Sequence, residues 1–283
     1  MVYLLGLLAA FSFALGLVLQ QRGTLQTSAP EGDPRFLAEI IRKPVWLLGG
    51  LLVICGWILQ AAALNVGSLV LVQALMALSL VFALPLGARL TGQHVGRRSV
   101  IGAVTTLAGI VILVAIGQPS GGIAEPGATA WWISGIVLVV LIVFLTWRAY
   151  RRRGPLSAAL FAAAAGTCFA FQAAVTKVFV AELGNGVGAI FSSWPVYVLV
   201  VSAVAGFVLQ QSSLKTGFLA PAMAALNAAT LAISVILGIT VFQETLSAGR
   251  GRLSPAIIGL VIAVLGVVLL SSPQSGRAEV PRT

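Results

Sequence analysis

The sequence predicts an all-α integral membrane protein of about nine transmembrane helices, built as two inverted four-helix repeats joined by a connecting helix. Three observations carry that prediction: the composition, a succession of nine apolar runs, and a short segment that recurs later in the chain. Of 283 residues, 59% are hydrophobic and 8% charged, and the mean hydropathy is +1.06. A soluble domain carries about a quarter charged residues. The 31 glycines fit a membrane protein, whose helices use Gly freely.

A bilayer core of about 30 Å needs roughly 20 apolar residues of helix. Nine runs meet that need: 2–21, 44–64, 68–90, 98–117, 130–148, 156–180, 193–214, 218–242 and 254–271. The first lacks a positive leading segment and is longer than the apolar part of a signal peptide, so it reads as a retained helix. The loop after it is the longest. There Asp33 can cap a helix opened by Pro34, with Phe36, Leu37, Ile40 and Ile41 on one face. This predicts a short interfacial helix at about 33–43, lying on the membrane surface. Only Asn65, Val66 and Gly67 separate the second and third runs, which predicts a tight hairpin, and Lys215–Gly217 does the same between the seventh and eighth. Pro85 and Pro221 fall inside apolar runs and are expected to kink or break their helices. The chain therefore divides into a first repeat (1–117), a connecting helix with a basic loop (118–154), a second repeat (155–271) and a tail (272–283).

Orientation follows from the basic residues. With nine spans, 14 of the 17 Lys and Arg fall on one side, including Arg22, Arg89, Arg97, Arg98 and Arg151–Arg153; only Lys177, Arg250 and Arg252 fall on the other. The amino terminus is expected outside and the carboxyl terminus in the cytoplasm, in a cytoplasmic (inner) membrane.

Segment 57–67, WILQAAALNVG, is similar to segment 207–217, FVLQQSSLKTG, with Leu59, Gln60, Leu64 and Gly67 matching Leu209, Gln210, Leu214 and Gly217. Upstream, Pro44–Val45–Trp46 matches Pro195–Val196–Tyr197, and Phe13–Ala14 matches Phe169–Ala170. The second span runs outward and the seventh inward, so the copies are inverted. Inverted repeats are frequent in secondary transporters, where substrate binds near the midplane between the halves.

The stretch WLLGGLLVICGWILQAAALNVGSLVLVQALMALSLVFALPLGARLTG (46–92) resembles the core of the drug/metabolite transporter superfamily, of EamA-like type. The second copy closes with VFQETLS (241–247), where Glu244 stands at the family's Glu position; the first copy has Gly87–Ala88–Arg89 there instead. Nine helices, an outside amino terminus and LQQRG (19–23) are closest in layout to the NIPA-type magnesium transporter branch. That resemblance implies a multi-pass transporter and, for that branch, a Mg²⁺ cargo.

Polar side chains at bilayer depth need a reason, since a charge at the centre costs roughly 2.5–3.5 kcal/mol on insertion scales. Asn227, nine residues into the eighth run, and Gln172, near the middle of the sixth, lead the substrate-binding set, with Gln73 and Thr176 as neighbours. Each can instead tie packed helices together. Lys177 lies near the outer end of the sixth run, either snorkelling to the interface or offering an anion contact at an outer vestibule. Gln60 and Gln210 are expected to cap or tie the helix hairpins, and Glu244 to pair locally or hold a helix end. No acidic residue is expected at membrane depth, which disfavours proton-coupled export of cations and a carboxylate cage for Mg²⁺.

No nucleophile–base or metal constellation points to an enzyme, and no cofactor is expected. The Lys and Arg lie between apolar runs, so nucleic acid is not a partner. The expected function is movement of a small polar metabolite by alternating access. The alternatives are Mg²⁺ transport and flipping of a lipid-linked precursor. The expected partners are the solute and the bilayer, and a homodimer is compatible with the sequence.

Overall fold

The computed structural model describes residues 1–25, 42–92, 96–123, 126–182, 193–214, 216, 219–245 and 253–270. The interfacial helix expected at 33–43 and the tail at 272–283 lie outside the described residues. Nine α-helices run through the described residues: α1 (Val2–Leu25), α2 (Pro44–Val66), α3 (Leu69–Thr91), α4 (Arg97–Ala115), α5 (Ala128–Tyr150), α6 (Pro155–Glu182), α7 (Trp194–Leu214), α8 (Leu219–Thr240) and α9 (Leu253–Leu270). Seven are long and apolar enough to cross a membrane, while α4 and α9 contribute shorter apolar stretches, Val100–Ala115 and Ile257–Leu269. The protein is an all-α, multi-pass membrane protein.

Local chemistry sets the helix ends. Pro44 opens α2, where the missing N–H has no intrahelical partner to lose. The Ser68 side chain caps α3 by accepting from Leu71 N at 3.1 Å, which turns the chain at the hairpin after α2. Gly92, at φ 70°, closes α3 in the left-handed conformation that glycine adopts freely. The expected breaks at the two prolines do not occur. Pro85 is carried inside a continuous α3, and Pro221 falls in the first turn of α8, where its missing N–H costs nothing.

The first four helices and the last four pack in the same pattern. α1 lies against α2 and α3, as α6 lies against α7 and α8; α4 meets α9, and α3 meets α8. Two contacts show how closely the halves correspond. Phe13 packs on Gly56, where a Cβ would come within 2.9 Å of its ring, and Phe169 packs on Gly206, where a Cβ would come within 2.7 Å. Gly56 and Gly206 stand 150 residues apart, immediately before the two copies of the recurring segment.

The second contact lies between α4 and α9. A Cβ on Gly109 would collide with the backbone of Ala263, and one on Gly259 would lie 2.7 Å from Leu113 N and 2.9 Å from Gly109 O. The same offset of 150 residues carries Gly109 onto Gly259 and Leu113 onto Ala263. Each contact is thus the image of the other, and these two helices run antiparallel, the relation expected of equivalent helices in an inverted pair. α5 packs against α6 and leaves Val137, Val139, Val140 and Val143 about 60% exposed, an apolar surface suited to lipid.

A two-residue ribbon was not expected from the sequence. Ser120 and Gly121 (β1) pair antiparallel with Glu244 and Thr245 (β2), and Ile123 N donates to Phe242 O at 2.7 Å. It straps the α4–α5 connection onto the end of α8.

Candidate functional site

The buried core has two layers. One joins Leu71, Ala74, Leu75 and Leu78 of α3 to Leu231 and Val235 of α8, and to α4 and α9. The other joins Leu64, Leu69 and Val72 to Ala174 and Val178 of α6 and to Leu237, Val241 and Phe242. Between the halves the packing leaves a cavity of about 330 Å³. Its apolar wall comes from Phe13, Leu17, Val53, Trp57, Met76, Phe169 and Leu226, and its polar groups are Gln60, Gln73, Ser79, Gln172, Thr176, Asn227 and Thr230. Four helices dominate the lining: α2 and α3 from the first half, α6 and α8 from the second. Among the described residues no lining side chain is charged.

All four residues assigned to substrate from the sequence, Asn227, Gln172, Gln73 and Thr176, line this one cavity. Their hydrogen bonds decide what each can offer. Thr176 Oγ1 donates to Gln172 O at 2.8 Å. Thr230 Oγ1 donates to Leu226 O at 2.8 Å and lies 3.2 Å from Gly166 O. With their protons turned back to helix carbonyls, both hydroxyls present oxygen lone pairs. Asn227 Nδ2 donates to Met223 O at 2.8 Å, one turn back on its own helix, which uses one of its two N–H donors. Gln73 is 4% exposed, and its Nε2 has no hydrogen-bond partner among the described residues.

Two expectations need correction. Gln60 was assigned to the α2–α3 hairpin, yet it lines the cavity beside Trp57; its repeat mate Gln210 is half-buried on α7 and does not. Gly49, Gly56 and Ala63 are the buried face of α2, and Gln60 lies four residues after Gly56 and three before Ala63, on that same face. The spacing of small residues was the available signal. Lys177, expected to snorkel or to offer an anion contact at a vestibule, is paired instead with a carboxylate of the chain itself. Its Nζ is 2.6 Å from Glu244 Oε1 and 4.6 Å from the centre of the Phe242 ring, with 13% of the side chain exposed, and it does not line the cavity.

Glu244 is a residue whose surroundings the sequence understated. It is 3% exposed. Its Oε1 accepts from Leu69 N as well as from Lys177, and its Oε2 accepts from Val70 N at 2.9 Å. It therefore holds a helix end as expected, but the end is that of α3 in the opposite half. An anionic carboxylate at the first N–H groups of a helix satisfies donors that have no intrahelical acceptor and meets the positive end of the helix dipole. Ser68 Oγ lies 3.2 Å from Pro119 O and adds a tie from α3 to the ribbon. From the cavity towards this latch, Leu69, Val72, Leu237, Val241 and Phe242 are at most 2% exposed. In the other direction along α3, Leu80–Leu84 are half-buried. Among the described residues the packing is tighter at the Glu244 end.

Comparison with known proteins gives a distant full-length relative. The chain is 26% identical over 273 residues to an uncharacterized protein of Corynebacterium glutamicum, a match covering 95% of this chain and 93% of the relative. No family model and no solved structure matches.

Proposed function

We propose that the protein is a secondary transporter or facilitator of the drug/metabolite transporter type. It resides in the cytoplasmic membrane and moves a small polar metabolite by alternating access between α1–α4 and α6–α9. The observation that carries this reading is the cavity itself: it lies between two halves of matching packing, and each half contributes amides to it. A site shared by two rigid halves changes its exposure when one half rocks against the other. By the bias of the basic residues the Glu244 end would face the exterior, which would make the more tightly packed end the outer one. Among the described residues the lining offers Mg²⁺ no carboxylate, which places the metabolite reading ahead of the divalent-cation one.

Asn227 and Gln172 face the cavity from α8 and α6 and would hydrogen-bond the solute. The test is uptake by proteoliposomes of pooled neutral, anionic and cationic metabolites, with the double variant Asn227→Ala, Gln172→Ala as control. The expected result is saturable uptake of one class, reduced at least about tenfold in a variant of unchanged thermal midpoint, for the loss of one or two hydrogen bonds. Unchanged uptake by the folded variant refutes the site; no uptake of any class by the unmodified protein refutes transport of metabolites.

A further inference from the structure

The substrate class can be narrowed from what the cavity lacks and what it leaves unmet, and this step rests on the transport reading above. We infer that the cavity selects an uncharged, flat solute bearing a hydrogen-bond acceptor for Gln73 and donors for the threonine oxygens, as an amide-bearing ring compound does.

Four features converge. Among the described residues the lining is uncharged, and Lys177, next in sequence to the lining Thr176, is neutralised by Glu244 at 2.6 Å, so an ionic solute entering the cavity finds no counter-charge there. Gln73 lines the cavity, and its Nε2 is buried and without a partner among the described residues, an arrangement native proteins rarely leave unanswered. Its N–H groups call for an acceptor such as a carbonyl oxygen. Thr176 and Thr230 have spent their protons on helix carbonyls and can only accept, so the same solute needs N–H or O–H groups. Finally, Phe13 and Phe169 are seated against Gly56 and Gly206 and, with Trp57, give the cavity aromatic walls that favour a flat ring. Aromatic walls alone would also suit a quaternary ammonium ion, but such a cation offers the Gln73 amide no acceptor.

Benzamide, benzoate and benzamidinium share one ring and one planar head and differ in charge. Binding of tritiated benzamide to the detergent-purified full chain is measured by equilibrium dialysis, with the other two as competitors. The inference expects saturable benzamide binding, no displacement by a tenfold excess of benzoate or benzamidinium, and affinity about tenfold weaker in Gln73→Leu, which keeps the volume and removes the donor. Displacement by either ion as effective as by unlabelled benzamide overturns it. So does the absence of saturable binding up to the solubility limit, or an unchanged affinity in Gln73→Leu. Should Gln73→Leu fail to fold, the near-isosteric Gln73→Glu replaces it, and the expected gain is competition by benzamidinium; no change in ion selectivity overturns the inference. Failure of the transport reading looks different. Gln73-dependent benzamide binding without benzamide flux in proteoliposomes leaves the site standing and removes transport. Flux of a charged solute without benzamide binding does the reverse.

Discussion

The Glu244 latch gives the most direct test of the architecture. Replacing Glu244 with Ala removes the acceptor of two α3 backbone N–H groups and of the Lys177 ammonium. Each orphaned buried donor costs about 1–3 kcal/mol, and breaking a buried ion pair from one side costs about 3–5 kcal/mol, because the remaining charge is left uncompensated. These terms overlap, since the carboxylate serves all three donors at once, and the 13% exposure of Lys177 lets water recover part of the loss. A total of about 3–5 kcal/mol is therefore expected. At roughly 2–4 °C per kcal/mol for a chain of this size, the thermal midpoint in detergent should fall by about 10 °C. The cycle Glu244→Gln, Lys177→Met and the double variant isolates the charge pair: the double variant should be more stable than the sum of the single losses by about 1–3 kcal/mol. A midpoint within about 2 °C of the parent for Glu244→Ala, or a coupling near zero in the cycle, would refute the reasoning and make the pair a bystander.

Other consequences can be measured with the same preparations. Gly109→Ala and Gly259→Ala each place a methyl group against the backbone of the facing helix, and each should destabilise the protein by about 1–3 kcal/mol in thermal melts, as overpacking does; a neutral pair would remove the close α4–α9 crossing. Gln60→Ala should lower solute flux several-fold while Gln210→Ala leaves it intact, since only Gln60 reaches the cavity. Equal effects in the uptake assay would mean that the two amides act alike in holding hairpins.

Much of the frame was legible because membrane helices announce themselves by length and apolarity, and the runs from 44–64 to 193–214 differ from the observed helices by a few residues. Phe13 and Phe169, matched by sequence alone, occupy matching seats against Gly56 and Gly206. What stayed hidden depended on partners distant in sequence. Nothing near Lys177 announces that Glu244, 67 residues on, returns to meet it. Nothing in a two-residue ribbon carries a periodic signal. Gln60 was misplaced because its position near a hairpin outweighed the face on which Gly49, Gly56 and Ala63 place it. Gln73, Gln172, Thr176 and Asn227 converge because each is a polar residue on a helix that packs centrally, and burial of a polar group is costly enough to narrow the reasons for it.

The register that relates Phe13 to Phe169 carries Glu244 onto Ala88, within Gly87–Ala88–Arg89, and Lys177 onto Gln21. In sequence, then, the frame is duplicated and the carboxylate–ammonium pair is not. Two poses related by exchanging the roles of the halves would have nearly equal packing but unequal electrostatics. If the latch is worth about 2–3 kcal/mol to the pose that contains it, the resting population favours that pose by a factor of roughly 30–150. A solute shifts such an equilibrium only by binding the rarer pose more tightly, so under the proposed transport the two directions of loading would start from different populations although the two halves pack alike.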